Sequence, residues 1–201
     1  SYTFAKSIDN ASDFNSGDPS EQVLDAHNLR AQRGASSFDV RHRVTVSGQY
    51  ALPFKGTLLR GWTLNSVATM QSAQPFTPFL PSFDAFRNEA FNRPDVIGDP
   101  LAGVPDGLAF NPRAFAAAPA GQFGNAGRNI VRGDSFRSVD LSIFRAFRME
   151  RRGSLQFRFE FVNSLNAVNY QGPVVDLTSV AGSFVAAAPP RIAQLGVKYQ
   201  F

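Results

Sequence analysis

Apolar and polar residues alternate one by one along the final segment of the chain, residues 191–201. The apolar positions are Ala193, Leu195, Val197, Tyr199 and Phe201. The positions between them are Gln194, Gly196, Lys198 and Gln200. Because successive side chains of a β-strand point to opposite faces, this period predicts a strand with one apolar and one polar face. A strand of about ten residues with that pattern suits a bilayer crossed at a tilt, although a strand of a soluble sheet can alternate in the same way.

Five further segments show the same period of two. Together with the last one, the predicted strands cover residues 2–7, 40–52, 58–71, 138–148, 155–161 and 191–201. All but the first are longer than the roughly five or six residues that are typical of strands in soluble sheets. The pattern therefore predicts an all-β fold, an antiparallel transmembrane β-barrel segment of about six strands.

The alternation also divides the side chains of each strand between two faces. In a transmembrane barrel the apolar face meets lipid and the polar face lines the lumen. The positions predicted to face lipid or to form an aromatic girdle are Tyr50, Trp62, Phe157, Phe159, Phe161, Val197, Tyr199 and Phe201. The polar positions predicted to face the lumen are Arg41, Arg43, Gln156, Arg158, Glu160, Gln194 and Lys198.

Short and long connections alternate between these strands. Residues 53–57 and 149–153 predict tight hairpin turns, each with a glycine available for positive φ. The other connections are long, roughly residues 8–39, 75–137 and 167–190. Outer-membrane barrels have short turns on the periplasmic side and long loops outside. The alternation therefore predicts periplasmic turns, extracellular loops and a final strand that ends, at Phe201, on the periplasmic side.

The long connections differ in character. The second is rich in proline and in phenylalanine, with Phe76, Phe79, Phe83, Phe86, Phe91, Phe110, Phe115 and Phe123. Long loops of this kind are usually functional, so this one either packs on itself over the barrel mouth or contacts a ligand through its aromatic rings. The first is acidic, and Asp9, Asn10, Asp13, Asn15 and Asp18 offer either oxygen ligands for calcium, outside EF-hand spacing, or a solvated loop.

Composition excludes several classes of protein. No window approaches eighteen consecutive apolar residues, which excludes a transmembrane helix. A mean hydropathy of −0.16 is compatible with a barrel, because half of each strand faces a polar lumen. The 20 phenylalanines fit an aromatic girdle, and the absence of cysteine excludes disulfides and thiolate metal sites. The charge of +4 comes from arginines spread along the strands, which does not favour nucleic-acid binding.

No enzyme is visible in the sequence. Gly133, Asp134 and Ser135 suggest a hydrolase nucleophile, but the two histidines, His27 and His42, lie far upstream. The ordinary interpretation of this triplet is a turn before a strand. Neither histidine has a carboxylate partner at metal-ligand spacing. We therefore predict neither a catalytic residue, nor a metal ion, nor a cofactor.

Several segments together resemble a known family. In chain order they are YTFAKSID (2–9), SFDVRHR (37–43), QPFT (74–77), FGNAGRN (123–129), SVDLS (138–142), RFEFVN (158–163) and the final strand. They resemble the C-terminal barrel of TonB-dependent outer-membrane receptors, in particular the Oar-like group with a carboxypeptidase-regulatory-like N-terminal domain. The matching segments span nearly the whole chain.

The resemblance implies a fold and a function. Such receptors have a barrel of about 22 strands that encloses an N-terminal plug. A TonB-binding segment lets the inner-membrane complex pull on the plug and admit the substrate. Residues 1–201 would form the C-terminal part of such a barrel in the outer membrane, without the plug and the N-terminal strands, and would contribute to uptake of an unidentified substrate. The partners expected from the resemblance are outer-membrane lipid, the TonB complex and the barrel-assembly machinery.

The resemblance also gives the last strand a role in assembly. The barrel-assembly machinery recognises its clients through a C-terminal strand that ends on an aromatic residue, which here implies Val197, Tyr199 and Phe201. Two alternatives to a receptor barrel stay open at this point. One is a small autonomous outer-membrane barrel or adhesin, and the other is a soluble β-domain whose phenylalanine-rich loop binds a ligand.

Overall fold

The structure is a computed structural model that describes residues 1–12, 23–25, 27–56, 60–84, 89–149 and 153–201. The first strands in chain order are β1 (Tyr2–Phe4), β2 (Ile8–Asp9), β3 (Gly34–Ala35), β4 (His42–Ala51), β5 (Thr63–Gln71), β6 (Pro75–Phe76) and β7 (Leu80–Asp84). They are followed by β8 (Glu89–Asn92), β9 (Asp95–Val96), β10 (Phe115–Ala116), β11 (Val131–Arg132), β12 (Phe136–Met149), β13 (Gly153–Val162) and β14 (Ile192–Gln200). Short 3-10 turns occur at Leu29–Gln32 and Pro112–Ala114.

One six-stranded antiparallel sheet organises the chain. Its spatial order, β1-β4-β5-β12-β13-β14, is also the order along the sequence, so each of these six strands pairs only with its sequence neighbours among the six. All five of these pairings are antiparallel. Among the described residues the sheet is open, with β1 and β14 at its edges. The all-β fold and the six antiparallel strands predicted from the sequence are confirmed.

The strand register places all the long connections at one end of the sheet. The residue pairs at this end are Phe4–His42, Gln71–Phe136 and Val162–Ile192. Residues 5–41, 72–135 and 163–191 connect these pairs, and we call them together the loop assembly. The opposite end has only the hairpin ends Ala51–Thr63 and Met149–Gly153. The predicted separation of long loops from short turns is therefore confirmed.

The third main strand begins later than the sequence predicts. It starts at Thr63 instead of Leu58. The last backbone hydrogen bond before the turn runs from the N–H of Leu52 to the carbonyl of Trp62, so the connection covers residues 53–61. Gly56 and Gly61 both adopt positive φ, 96° and 90°, which residues with side chains rarely adopt. Two such positions broaden the predicted tight turn. Residues 57–59 and 150–152 of the two turns lie outside the described residues.

The sheet has two chemically different faces, because the register aligns the alternation of neighbouring strands. Phe157 lies opposite Val197, and Phe161 lies opposite Ala193. The same face continues through Ile143, Leu64 and Tyr50 on the other strands. On the second face the aligned pairs are Gln156–Lys198, Glu160–Gln194, Ser142–Asn65 and Thr45–Thr69. One face is therefore mainly apolar and the other mainly polar across the whole sheet.

The buried core lies in the loop assembly and not against the sheet. Its apolar cluster is formed by Phe110, Ala114, Phe115, Val131 and Ala181, with Phe76 and Leu177 packed against it. The rings of Phe110 and Phe115 meet edge to face with centroids 5.8 Å apart. For these phenylalanines, packing of the long loop on itself is confirmed. The apolar face of the sheet, in contrast, stays exposed. Leu195 on this face, for example, has 63% of its surface exposed.

Candidate functional site

The three long connections are joined by buried charged groups. The side chain of Arg128 has no exposed surface, and its guanidinium forms an ion pair with Asp9. It also donates from Nε to the carbonyl of Gln32 at 3.0 Å and from Nη1 to Ser12 at 3.1 Å. Burial lowers the pKa of Arg128 from its ordinary value. These contacts fix the first long connection against the second.

Asp39 is the acceptor of a second buried cluster at the base of the loop assembly. Its carboxylate accepts from Arg132 Nη2 at 2.7 Å and from the backbone N–H of Ser7 at 2.9 Å, and Arg41 Nε lies 3.8 Å away. Burial alone raises the pKa of Asp39, but the bonds from Arg132 and Ser7 and the nearby arginine charges outweigh it and lower the pKa. Arg41, predicted as a lumen-facing strand residue, precedes β4 and belongs to this cluster.

A cavity of about 470 Å³ lies between the first and second connections. Its polar and aromatic lining includes Asp25, Asn28, Gln32, Arg93, Phe123 and Asn125. Arg93 is 4% exposed and donates to the carbonyl of Ala31 at 3.2 Å and to Gln32 Oε1. Gln32 is 1% exposed, and among the described residues its Nε2 has no hydrogen-bond partner. The sequence gives no sign of this cavity, because Gln32 and Arg93 lie 61 residues apart.

The polar face of the sheet brings the predicted lumen residues of β13 and β14 together. Arg158 Nη1 lies 3.4 Å from Glu160 Oε1, and its guanidinium lies 5.8 Å from the ring centroid of Phe144. Gln156 lies opposite Lys198, and Glu160 lies opposite Gln194. Arg43 shares this face on β4, opposite Gln71 of β5. Phe144 interrupts the polar pattern on this face.

The apolar face carries aromatic contacts between strands. Trp62 and Phe159 have ring centroids 6.1 Å apart, and Phe147 and Phe157 meet edge to face at 5.8 Å. The ring centroids of Tyr199 and Phe201 lie 6.1 Å apart at the end of β14. The sequence did not identify Arg145, which lies on this face with its guanidinium 3.9 Å from the ring centroid of Phe147. Arg145 is a charged residue at an apolar position of the period of two in β12, and this was the signal in the sequence that could have identified it.

The groups considered for catalysis and metal binding form no metal-ligating cluster among the described residues. Within the described ranges, no group of three or more His, Cys, Asp or Glu side chains is placed to hold a metal ion. Asp9 of the calcium alternative pairs with Arg128, while Asp13, Asn15 and Asp18 lie outside the described residues. Asp134 accepts from the N–H of Ser135 in an exposed turn, and His42 stacks on Tyr2. None of the described helical segments has the length and hydropathy to cross a membrane.

An antiparallel sheet with one apolar face, short turns at one end and long loops at the other is typical of outer-membrane β-barrels. The comparison with protein families agrees. The chain matches the family described as outer membrane beta barrel domain over residues 1–194, and it belongs to that family. Its location is the outer membrane. This membership argues against the soluble β-domain alternative. Neither the curated proteins nor the solved structures contain a match to the chain.

Proposed function

We propose that the chain is part of the barrel of a TonB-dependent outer-membrane receptor and contributes to the uptake of a substrate. The observation that carries this proposal is the open six-stranded sheet with edge strands β1 and β14. In lipid an unpaired strand edge leaves backbone groups without hydrogen bonds, so these edges need further strands. The seven segments that resemble the Oar-like group favour a large receptor barrel as the source of those strands.

The two faces of the sheet fit such a barrel. We infer that Phe157, Phe159 and Tyr199 meet lipid and that Arg158, Glu160 and Lys198 face the lumen, because transmembrane strands turn their apolar side to the bilayer. A plug inside the lumen would meet a surface that is mostly polar and includes Phe144. The TonB complex would act on that plug. We infer that the chain contributes to transport of the substrate and that none of its residues catalyses a reaction.

The barrel-assembly machinery is the other proposed partner. The edge strand β14 presents Leu195, Val197 and Tyr199 on one face and an open line of backbone groups along its side. Such an amphipathic edge is suited to strand addition. Replacing Tyr199 with Ser should lower the amount of protein recovered from the outer membrane. The matched change Gln200→Ser, on the polar face, should leave that amount unchanged.

Conductance across a planar bilayer separates a receptor barrel from a small autonomous barrel. A barrel of about 22 strands has a wide lumen that is closed by its plug, whereas a barrel of about eight strands is filled by side chains. The intact protein should show no steady conductance until a denaturant unfolds the plug, and then a large one. It should also retain the isolated periplasmic domain of TonB on an affinity column. Low conductance before and after denaturant, without TonB binding, would overturn the receptor proposal in favour of a small barrel or adhesin.

A further inference from the structure

We propose that the cavity between the first and second long connections binds an uncharged, hydroxyl-rich ligand, the chemical class to which short saccharides belong. The inference rests on the proposed function, since it names the substrate class for the same barrel. The cavity lies in the loop assembly, at the end of the sheet opposite the short turns. A ligand arriving from outside the cell would meet this end first if the long loops are extracellular.

Gln32 supplies the first step of the argument. An arginine side chain can only donate hydrogen bonds, so the Gln32 atom that Arg93 contacts must be the amide oxygen Oε1. This contact fixes the orientation of the amide and leaves Nε2 as a buried N–H donor without a partner among the described residues. Buried polar groups are nearly always hydrogen-bonded, and an unpaired one costs free energy. The described residues supply no acceptor for Gln32, and an oxygen of a ligand in the cavity that Gln32 lines can supply one.

The remaining polar lining, as far as the structure describes it, does not favour a strongly charged ligand. Asp25 brings one carboxylate and Arg93 brings one guanidinium, so neither sign dominates the cavity. The amides of Asn28 and Asn125 offer both donors and acceptors. Hydroxyl groups also both donate and accept, and they match a mixed lining of this kind. An anion would match only the donors, and a cation only the acceptors.

The aromatic lining and the size of the cavity agree with this class. Phe123 is 38% exposed and lines the cavity, where its ring can contact the C–H groups of a sugar ring. Gly124 follows directly, and a side chain there would overlap the carbonyl of Arg93, so glycine keeps Phe123 and Arg93 close. A volume of about 470 Å³ falls within the range of roughly 300–1,000 Å³ that is usual for small-molecule sites. It suits one or two sugar rings.

Fluorescence of the intact protein, purified from outer membranes in detergent, tests the proposal. Phe123→Trp places an aromatic reporter in the cavity, and Trp62→Phe removes the one native tryptophan of residues 1–201. The same protein with Phe123 retained gives the background signal. This reporter form is titrated with glucose, N-acetylglucosamine, maltose and cellobiose, and separately with inorganic phosphate and trialanine. At least one saccharide should give a saturable change, and phosphate and trialanine should give none. No change with any saccharide, or a saturable change with phosphate or trialanine, would overturn the proposal.

Two variants of the reporter form locate the binding. Gln32→Glu keeps the oxygen that accepts from Arg93 but replaces the unpaired donor with a second acceptor, and it should weaken saccharide binding about tenfold or more. Asn28→Leu, at an exposed position that makes no capping hydrogen bond, should weaken it about threefold or more. The control Gln49→Glu makes the same charge change on β4, remote from the cavity, and should leave the affinity unchanged. Equal affinities of the Gln32→Glu and Gln49→Glu forms would contradict the site.

Binding and transport can fail separately in these experiments. The titration needs neither TonB nor an energised membrane, so absent binding beside a plugged, TonB-binding barrel contradicts only the ligand site. Saccharide binding by a protein without a plug or TonB affinity contradicts only the receptor proposal. Thermal unfolding of each variant shows whether it has kept its fold.

Discussion

At the scale of single residues, buried charges hold the loop assembly together. The fully buried apolar cluster is small, and two of the largest buried side chains in the described part of the chain are Arg128 and Gln32. Arg128 uses Nε, Nη1 and Nη2 as donors to three different residues of the first connection. A guanidinium with several fixed donors can satisfy several carbonyls and carboxylates at once. The geometry of the loops therefore depends on a few polar contacts.

Arg128→Met should loosen the first long connection. The change leaves Asp9 without its ion pair and the carbonyl of Gln32 without a donor, and we expect a loss of about 3 kcal/mol from the loop assembly. Hydrogen exchange should show faster exchange in residues 29–41, with the main sheet unaffected. Arg113→Met is the matched control, because Arg113 is exposed. Equal exchange in the two variants would show that Arg128 does not anchor this connection.

The lowered pKa of Asp39 predicts how the stability of the loop assembly changes in acid. Its pKa is lower in the folded protein than the ordinary value of 3.8, because Arg132 and Ser7 stabilise the charged form more than burial disfavours it. The stability that it contributes is therefore complete above pH 3.8 and is lost as the pH falls from there through the lowered folded pKa. Protease resistance of the loops should stay level from about pH 7 to pH 5 and decline below about pH 4.

The variant Asp39→Asn checks that assignment. It removes the charge that Arg132 and Arg41 face, so the loops should be less resistant than in the native protein at neutral pH. Its resistance should also depend less on pH below about pH 4. An acid decline as steep in Asp39→Asn as in the native protein would assign the response to other carboxylates.

At the scale of elements, β13 and β14 keep the period of two more strictly than β12 does. Phe157, Phe159 and Phe161 share a face, and β14 adds Leu195 and Val197 to it. On β12 the same face includes Arg145, whose side chain lies over the ring of Phe147 toward the short-turn end. A long cationic side chain can cover apolar surface while its charged end reaches the membrane boundary. The presence of a charged residue on the apolar face of β12 thus follows from the position of Arg145 near the end of this strand.

Phe159→Arg tests which face of β13 meets lipid. An arginine on the lipid side near the middle of the bilayer should cost about 2–4 kcal/mol of folding free energy. Gln156→Arg, on the opposite face of the same strand, should cost much less. Refolding titrations of the two variants in lipid vesicles measure the difference. Equal costs would contradict the assignment of the two faces.

The sequence predicts the strands but not the loops, for a physical reason. A period of two is local, so β13 and β14 could be placed from a few neighbouring residues. The start of β5 was placed too early because nothing in residues 58–62 shows how Gly56 and Gly61 share the turn. The contacts of the loop assembly join distant parts of the chain: Arg128 and Asp9 are 119 positions apart, and Arg132 and Asp39 are 93 positions apart. No local pattern reports such partners.

At the scale of the whole molecule, the sheet and the loop assembly are stabilised in different ways. The sheet leaves its apolar face exposed, which is the surface that a bilayer covers in this family. The loop assembly instead buries its own apolar cluster around Phe110. The two ends of the second long connection are joined where β6 pairs with β11. The described loop residues are therefore packed against one another at this end of the sheet, which is what a binding cavity needs.

The orientation of the chain in the membrane can be tested by cysteine labelling, because residues 1–201 contain no cysteine. The protein without an introduced cysteine is the control. Leu101, 64% exposed in the loop assembly, and Lys55, exposed in a short turn, lie at opposite ends of the sheet. Since outer-membrane barrels keep short turns in the periplasm, Leu101→Cys should react with a membrane-impermeant maleimide on intact cells. Lys55→Cys should react only after the outer membrane is permeabilised. The reverse result would place the loop assembly and its cavity in the periplasm, out of reach of any ligand outside the cell.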